Sequence, residues 1–155
     1  MFDHILVPLD GSELAEQALP HASDIAKTNG ATVHFIQVTS DHPEAAGFRS
    51  GLSSESQASN LEISRQLEQA MVDRARDYLT RIAAPIKNEG ITVETELHHG
   101  SPHEHIVEYA ENNDIDLIVM SSHGHGGVRR MLTGSTTDKV VRAAEVPVLV
   151  IPCED

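Results

Sequence analysis

The chain has 155 residues, 39% of them hydrophobic and 23% charged, which suits one domain with a full core rather than two. Its 24 Asp and Glu outnumber 11 Lys and Arg, for a formal net charge of −13, and this argues against general nucleic-acid binding. Trp is absent and aromatics make up 3%, which leaves little for base-stacking platforms.

No segment reaches the ~18 consecutive apolar residues of a membrane span. The N-terminal MFDHILVPLD lacks a basic region and runs straight into a strand pattern, so it does not read as a signal peptide. Cys153 is the only cysteine and cannot pair within the chain, which fits a cytoplasmic location.

The first unit reads as strand, turn, helix, strand. Ile5-Leu6-Val7 is the strand core and Asp10-Gly11-Ser12 the turn, with Ser12 as N-cap and Glu13 in the first turn. Ala15, Ala18, Leu19, Ala22, Ile25 and Ala26 form a helical stripe. Pro20 lies inside it and predicts a kink or a local loss of hydrogen bonding. Asn29-Gly30 closes the helix with a left-handed cap, and 33–38 is the next strand. Such a unit is a parallel crossover.

From Thr39 to about Ser59 the periodicity fails in a Ser-, Gly- and Pro-rich stretch, read as a mobile loop over 40–58. A long helix is predicted over 61–88, with Leu67, Met71, Ala75, Tyr78, Leu79 and Ile82 as its apolar face, Pro85 bending its last turn and Gly90 ending it. Over 91–97, Ile91, Val93, Thr95 and Leu97 alternate with Thr92, Glu94 and Glu96, as on a less buried strand toward a sheet edge. Ser101 as N-cap, Pro102 at the first position and Glu104 in the first turn open another helix, whose inner face is Ile106, Val107 and Ala110.

Residues 117–120 form a short apolar run that suits a buried parallel strand. Gly124, Gly126 and Gly127 follow. Gly134-Ser135-Thr136-Thr137 then opens a helix with Val140, Val141 and Ala144 on one face. Pro147 ends that helix, and 148–151 is a second buried strand, at the end of the chain and at the sheet edge. An exposed edge of that kind invites pairing, so a homodimer through 148–151 is expected.

The loop chemistry favours an anion. Glycines let backbone N–H groups approach a ligand, and a helix N-terminus offers unpaired N–H groups at the positive end of a dipole. Over 121–142, Arg129, Arg130, Lys139 and Arg142 stand against Asp138 alone, a positive island in an acidic chain. A glycine-rich turn before a well-capped helix is the other reading of the same residues.

Alternation of strand and helix throughout implies a mostly parallel α/β sheet covered on both faces. Ligands in such sheets sit beyond the carboxyl ends of the strands, where the strand order reverses. The loops Pro8-Leu9-Asp10-Gly11 and Ser121 to Gly127 hold those positions. No Gly-x4-Gly-Lys-Ser/Thr motif is present, and Arg129 stands where a dinucleotide fingerprint needs glycine. His98-His99, His103-x-His105 and His123-x-His125 lack the four-residue pairing of a helical metal site, so no metal site is assigned and most histidines are expected to be solvated. His123 and His125 flank Gly124 in the loop.

The whole chain, the loop at 40–58 excepted, resembles a single-domain universal stress protein. ILVPLDGSELAEQAL resembles the first strand and helix of that family, and SSHGHGGVRRMLTGSTTDKVVRAAEVPVLVIP its signature region. The ATP-binding branch carries Gly-x2-Gly-x9-Gly-Ser/Thr. Gly124, the nine residues His125 to Thr133, Gly134 and Ser135 match it, whereas Ser121 stands in place of the first glycine. The resemblance implies an adenine nucleotide alpha hydrolase-like, Rossmann-like fold of five parallel strands in the order 3-2-1-4-5, and a homodimer. It also implies ATP, with Mg2+, between the first and fourth strands. Pro8, Asp10 and Val38 would hold the adenine, with Leu9 beside them. Ser121, His123, Gly124 and Gly127 would follow the ribose and phosphates, and Gly134, Ser135 and Thr136 would hold the phosphates.

An enzyme is not indicated, because hydrolysis needs a positioned water and usually a carboxylate-held metal, and these loops offer Asp10 and little else acidic. Three readings stand: an ATP-binding stress or signalling module with an unidentified protein partner, a dimeric interaction module without nucleotide, and a slow ATPase.

Overall fold

Apolar residues alternate along each strand and send one set to either face of a single sheet. The computed structural model describes residues 1–40, 54–122 and 135–153. The elements are β1 (His4–Leu9), α1 (Glu13–Glu16), α2 (Leu19–Asn29), β2 (Thr32–Thr39), α3 (Ser54–Asn88), β3 (Val93–His99), α4 (Pro102–Asn112), β4 (Leu117–Ser121), α5 (Ser135–Ala143) and β5 (Val148–Ile151). The strands are all parallel, in the order β3-β2-β1-β4-β5.

Two cores follow from the alternation. Ile5, Val7 and Leu9 of β1, Val33 and Phe35 of β2, and Leu117 and Val119 of β4 pack with alanines of α1 and α2 and with Tyr78, Leu79, Ile82 and Ile86 of α3. Leu6, Ile36, Ile118 and Met120 point the other way, onto Ile106, Tyr109 and Ala110 of α4 and Val140 of α5. β1, β2 and β4 are therefore buried on both sides, which is why they read as near-continuous apolar runs.

Pro20 breaks the first helix as expected. It has no N–H for the Glu16 carbonyl, and the chain tightens just before it: Gln17 and Ala18 donate to the carbonyls of Leu14 and Ala15 at 3.3 and 3.2 Å, and α2 restarts at Leu19. Ser12 caps α1 by accepting from Ala15 N–H at 3.2 Å. Gly30 adopts φ +71 at the C-cap of α2. Ser101 occupies the N-cap of α4, but its hydroxyl bonds His103 Nδ1 at 3.1 Å instead of capping the helix.

Several expectations are corrected. α3 begins at Ser54, so residues 54–58 are helical and not part of a loop; 41–53 lie outside the described residues. Leu67 and Met71 are 62% and 36% exposed, as are Leu61 and Ile63 at 49% and 54%. The cause is length. The 35 residues of α3 span about 50 Å at ~1.5 Å each, against about 23 Å for the seven of β3, so the first half of α3 has no sheet beneath it. The helix runs through Pro85 to Asn88. On α4 the inner residues are Ile106, Tyr109 and Ala110, with Val107 only half-buried. Of the face expected for α5, Val140 and, just past its end, Ala144 turn inward, whereas Val141 is 47% exposed and Thr137 is buried. β3 and β5 are the two edges. β5, expected to be buried, leaves Leu149 38% exposed, since among the described residues no strand or helix covers that edge.

Candidate functional site

β1 lies at the point where the strand order reverses, between β2 and β4. With β2 it pairs along its whole length, from His4↔Thr32 to Leu9↔Gln37. With β4 it pairs only at Ile5↔Leu117 and Leu6↔Ile118, although β4 continues to Ser121. Pro8 explains the difference. The Asp3 carbonyl accepts from Thr32 N–H on the β2 side and the His4 carbonyl from Asp116 N–H on the β4 side. Alternation puts Pro8 on the side of His4, facing β4, where it has no N–H to donate. The ladder stops there, leaving between the carboxyl ends of β1 and β4 a crevice in the pairing beyond Leu6 and Ile118 among the described residues.

The turn above β1 is rigidly built. Asp10 Oδ1 accepts from Ser12 N–H at 2.9 Å and from the Ser12 hydroxyl, and Gly11 between them takes φ +84, which favours glycine. Asp10 thus serves the turn, one of the two roles its position suggested. Leu9 is 4% exposed and packed in the core beside Val7, so only its backbone can face the crevice.

Beneath that turn lies Gln37 of β2, with its Nε2 3.9 Å from where a Cβ on Gly11 would stand. Its Oε1 is buried and has no hydrogen-bond partner among the described residues. A buried acceptor left unpaired costs about 1–3 kcal/mol. Sequence reasoning passed over Gln37, although a signal was there: in TVHFIQVT it occupies the same face as Val33 and Phe35, an inward position where a polar group is unexpected.

At the end of β4, Ser121 and Ser122 are 6% and 5% exposed. The Ser121 carbonyl accepts from the Thr137 hydroxyl at 2.9 Å, and Ser122 Oγ accepts from Cys153 N–H at 3.3 Å. The first bond fixes the opening turn of α5 against the crevice. Ser135 opens α5, and Thr136 is half-buried beside Thr137. Asp138 pairs with Arg142 at 3.0 Å, so part of the positive island is neutralised within the helix itself.

The strand ends therefore bring Pro8 and Leu9 of β1, Asp10 of the turn after it, Val38 of β2 and Ser121 of β4 to one edge of the sheet, with Ser135 and Thr136 at the start of α5. His123, Gly124, Gly127 and Gly134 lie outside the described residues, as do Arg129 and Arg130.

The histidines correct another expectation. Among the described residues only His21 and His99 are exposed; His4, His98, His103 and His105 are half-buried and His34 is 4% exposed. The described residues contain no group of three or more His, Cys, Asp or Glu arranged to hold a metal ion. Among them, no helix is long and apolar enough to cross a membrane.

The model of the universal stress protein family matches residues 1–152. The chain belongs to the universal stress protein family. Universal stress protein MJ0531 of Methanocaldococcus jannaschii is 32% identical over 151 residues, covering 97% of this chain and 82% of the relative. Among solved structures, that of the hypothetical protein MJ0577, described as a structure-based assignment of biochemical function, superposes with a TM-score of 0.83 at 28% identity and covers 100% of this chain and 99% of that one. A universal stress protein from Archaeoglobus fulgidus in complex with dAMP has the same fold, with a TM-score of 0.64 at 20% identity over 97% of this chain and 98% of that one. The universal stress fold thus accepts an adenine nucleotide in that neighbour.

Proposed function

We propose that this universal stress protein binds ATP, with magnesium carried on its phosphates, in the crevice between β1 and β4. In this reading it acts as a stress-response module that holds nucleotide without turning it over rapidly. The observation that carries it is the interrupted β1–β4 ladder: Pro8 opens the sheet at its switch point, directly beside the first turn of α5. A helix start at such a crevice suits phosphates, since a helix N-terminus offers unpaired N–H groups and the positive end of its dipole. The unpartnered oxygen of Gln37 supports the reading, because a base amino group, or a water it positions, would satisfy that acceptor.

Pro8, Leu9 backbone, Asp10 and Val38 then receive the base. Ser121, His123, Gly124 and Gly127 follow the ribose and phosphates, and Gly134, Ser135 and Thr136 close on the phosphate chain. Asp10 is the one carboxylate in this set, and its Oδ1 is held by Ser12, so among the described residues of the set no carboxylate is left to hold a metal or position a water. The protein works as a homodimer through β5, in the cytoplasm, and passes the nucleotide state to a protein partner.

Mass spectrometry of the nucleotide released on denaturing freshly purified protein tests this. Adenine nucleotide near one per chain is the expected result. No released nucleotide, together with a melting temperature unmoved by millimolar ATP and magnesium, replaces this reading with that of a nucleotide-free interaction module.

A further inference from the structure

Four imidazoles and a phenol stand in a row between the sheet and α4. His4 of β1 meets His34 of β2 with ring centroids 5.3 Å apart, and His34 meets Tyr109 of α4 at 5.9 Å. Tyr109 meets His98 of β3 edge-on at 5.9 Å, and His98 meets His105 of α4 at 5.3 Å. The row starts at the amino end of β1 and finishes at the carboxyl end of β3. There His105 packs on Gly100, so closely that a Cβ on Gly100 would lie 2.7 Å from His105 Nε2. Gly100 N–H donates to the Thr39 carbonyl at 2.8 Å, next to Val38.

Two contacts in the row are directional. His34 Nε2 lies 3.1 Å from His4 Nδ1, and His34 Nδ1 lies 3.0 Å from the Tyr109 hydroxyl and 3.4 Å from Glu94 Oε2. A neutral imidazole carries one N–H. Either tautomer of His34 leaves one hydrogen on the His4 line and one on the Tyr109 line. A first added proton fits, since His34 Nδ1–H then points at the Tyr109 oxygen and the Glu94 carboxylate. A second does not fit. It would place N–H groups on both His4 Nδ1 and His34 Nε2, facing each other across the same 3.1 Å with two positive charges.

The charged groups that face the row are carboxylates. Glu94 and Glu96 face the row from β3, where Glu96 Oε2 lies 3.7 Å from His98 Nε2. Asp116 accepts from the backbone N–H groups of Asp3 and His4 at the other end. Burial pushes the His34 pKa below the ordinary histidine value, against the pull of Glu94, and nearby His4 lowers it further. Burial, then Glu96 and Glu94, hold Tyr109 up to about 12, so it keeps its hydrogen throughout.

We propose that the His4–His34 pair is a proton-sensing latch: acidification doubly protonates it, opens the contact, loosens α4 from the sheet and, through Gly100 and Thr39, disturbs the strand end that carries Val38. The last step rests on the nucleotide reading; the latch does not.

Amide hydrogen exchange over residues 102–112, corrected for the intrinsic pH effect, tests it at about pH 7.5 and about pH 5.5. The wild type should open α4 about tenfold more at the lower pH. His4→Gln replaces one imidazole by an amide that can donate or accept, so its α4 should open equally at both. Imidazole nitrogen shifts provide the second readout: two separated macroscopic steps for the pair in the wild type, and a single step for His34 in the variant. Equal α4 exchange at both pH values in the wild type, or an undiminished acid response in His4→Gln, overturns the latch. ATP affinity should fall about tenfold over the same range in the wild type alone. Acid opening of α4 with unchanged ATP affinity overturns the coupling, and acid opening with no ATP binding at any pH overturns the nucleotide reading while the latch stands.

Discussion

The Thr137 hydroxyl donates to the Ser121 carbonyl across 2.9 Å, with both residues buried at the junction of β4 and α5. This bond ties the start of a helix to the end of a strand at the crevice. Thr137→Val keeps the shape and removes the donor, which should cost about 1 kcal/mol and lower the melting temperature by a few degrees. Thr137→Ser should retain most of both. Thermal unfolding without ligand reads the loss of stability. ATP titration should show a larger loss of affinity in Thr137→Val than in Thr137→Ser.

Gly134 and Ser121 should differ in their effect on nucleotide. If nucleotide binds as proposed, the phosphate chain comes closest at Gly134, just before Ser135 in the chain, and Gly134→Val should abolish the ATP-induced melting shift in a protein that still folds. Ligand at a hundred times its dissociation constant stabilises by roughly 2.7 kcal/mol, a shift of several degrees. Ser121→Gly should leave that shift intact or enlarge it. A full shift in Gly134→Val would remove the phosphate role from that position.

Gln37→Leu separates a ligand-directed oxygen from a merely tolerated one. Removing a buried acceptor that has no partner among the described residues should leave the free protein as stable as before, or more so. ATP affinity should nonetheless fall about tenfold. Unchanged affinity in isothermal titration would show that Gln37 does not serve the nucleotide.

The chain has two tyrosines and no Trp, so phenolate absorbance reports on both directly. Burial is the first cause that raises both, Tyr78 with help from its 3.0 Å bond to Glu16 and Tyr109 to about 12. A group whose folded pKa lies above its unfolded value contributes stability that is complete below the unfolded value and lost as pH rises. Stability should therefore decline above about pH 10, the unfolded tyrosine value. Tyr109→Phe should flatten part of that decline. Native tyrosines that ionise at the unfolded value would contradict the burial argument.

β5 leaves Leu149 38% exposed on an unpaired edge. Sedimentation should show a dimer at micromolar concentration, and Val150→Lys should shift it to monomer by placing a charge in the paired strand. A dimer indifferent to Val150→Lys would move the interface elsewhere.

The sequence by itself determined the elements and their parallel arrangement, because those follow from local rules. Period-two alternation marked β3 as an edge strand, Pro20 divided the first helix, and Gly30 ended it, each through its own backbone chemistry. The ends of β1 and β4 were legible for the same reason: Leu9 and Ser121 close apolar runs that polar and glycine-rich residues follow. Tertiary structure decided the rest. Whether Leu67 and Val141 are buried depends on what lies beneath a helix face, and amphipathic spacing cannot show that α3 overhangs the sheet. That Gln37 lies under the Asp10 turn, and that His34 meets both His4 and, 75 residues away, Tyr109, required strands and a helix distant in the chain to be brought together. The order β3-β2-β1-β4-β5 does this, and a polar group's partner is set by its neighbour in space rather than by its neighbour in the chain.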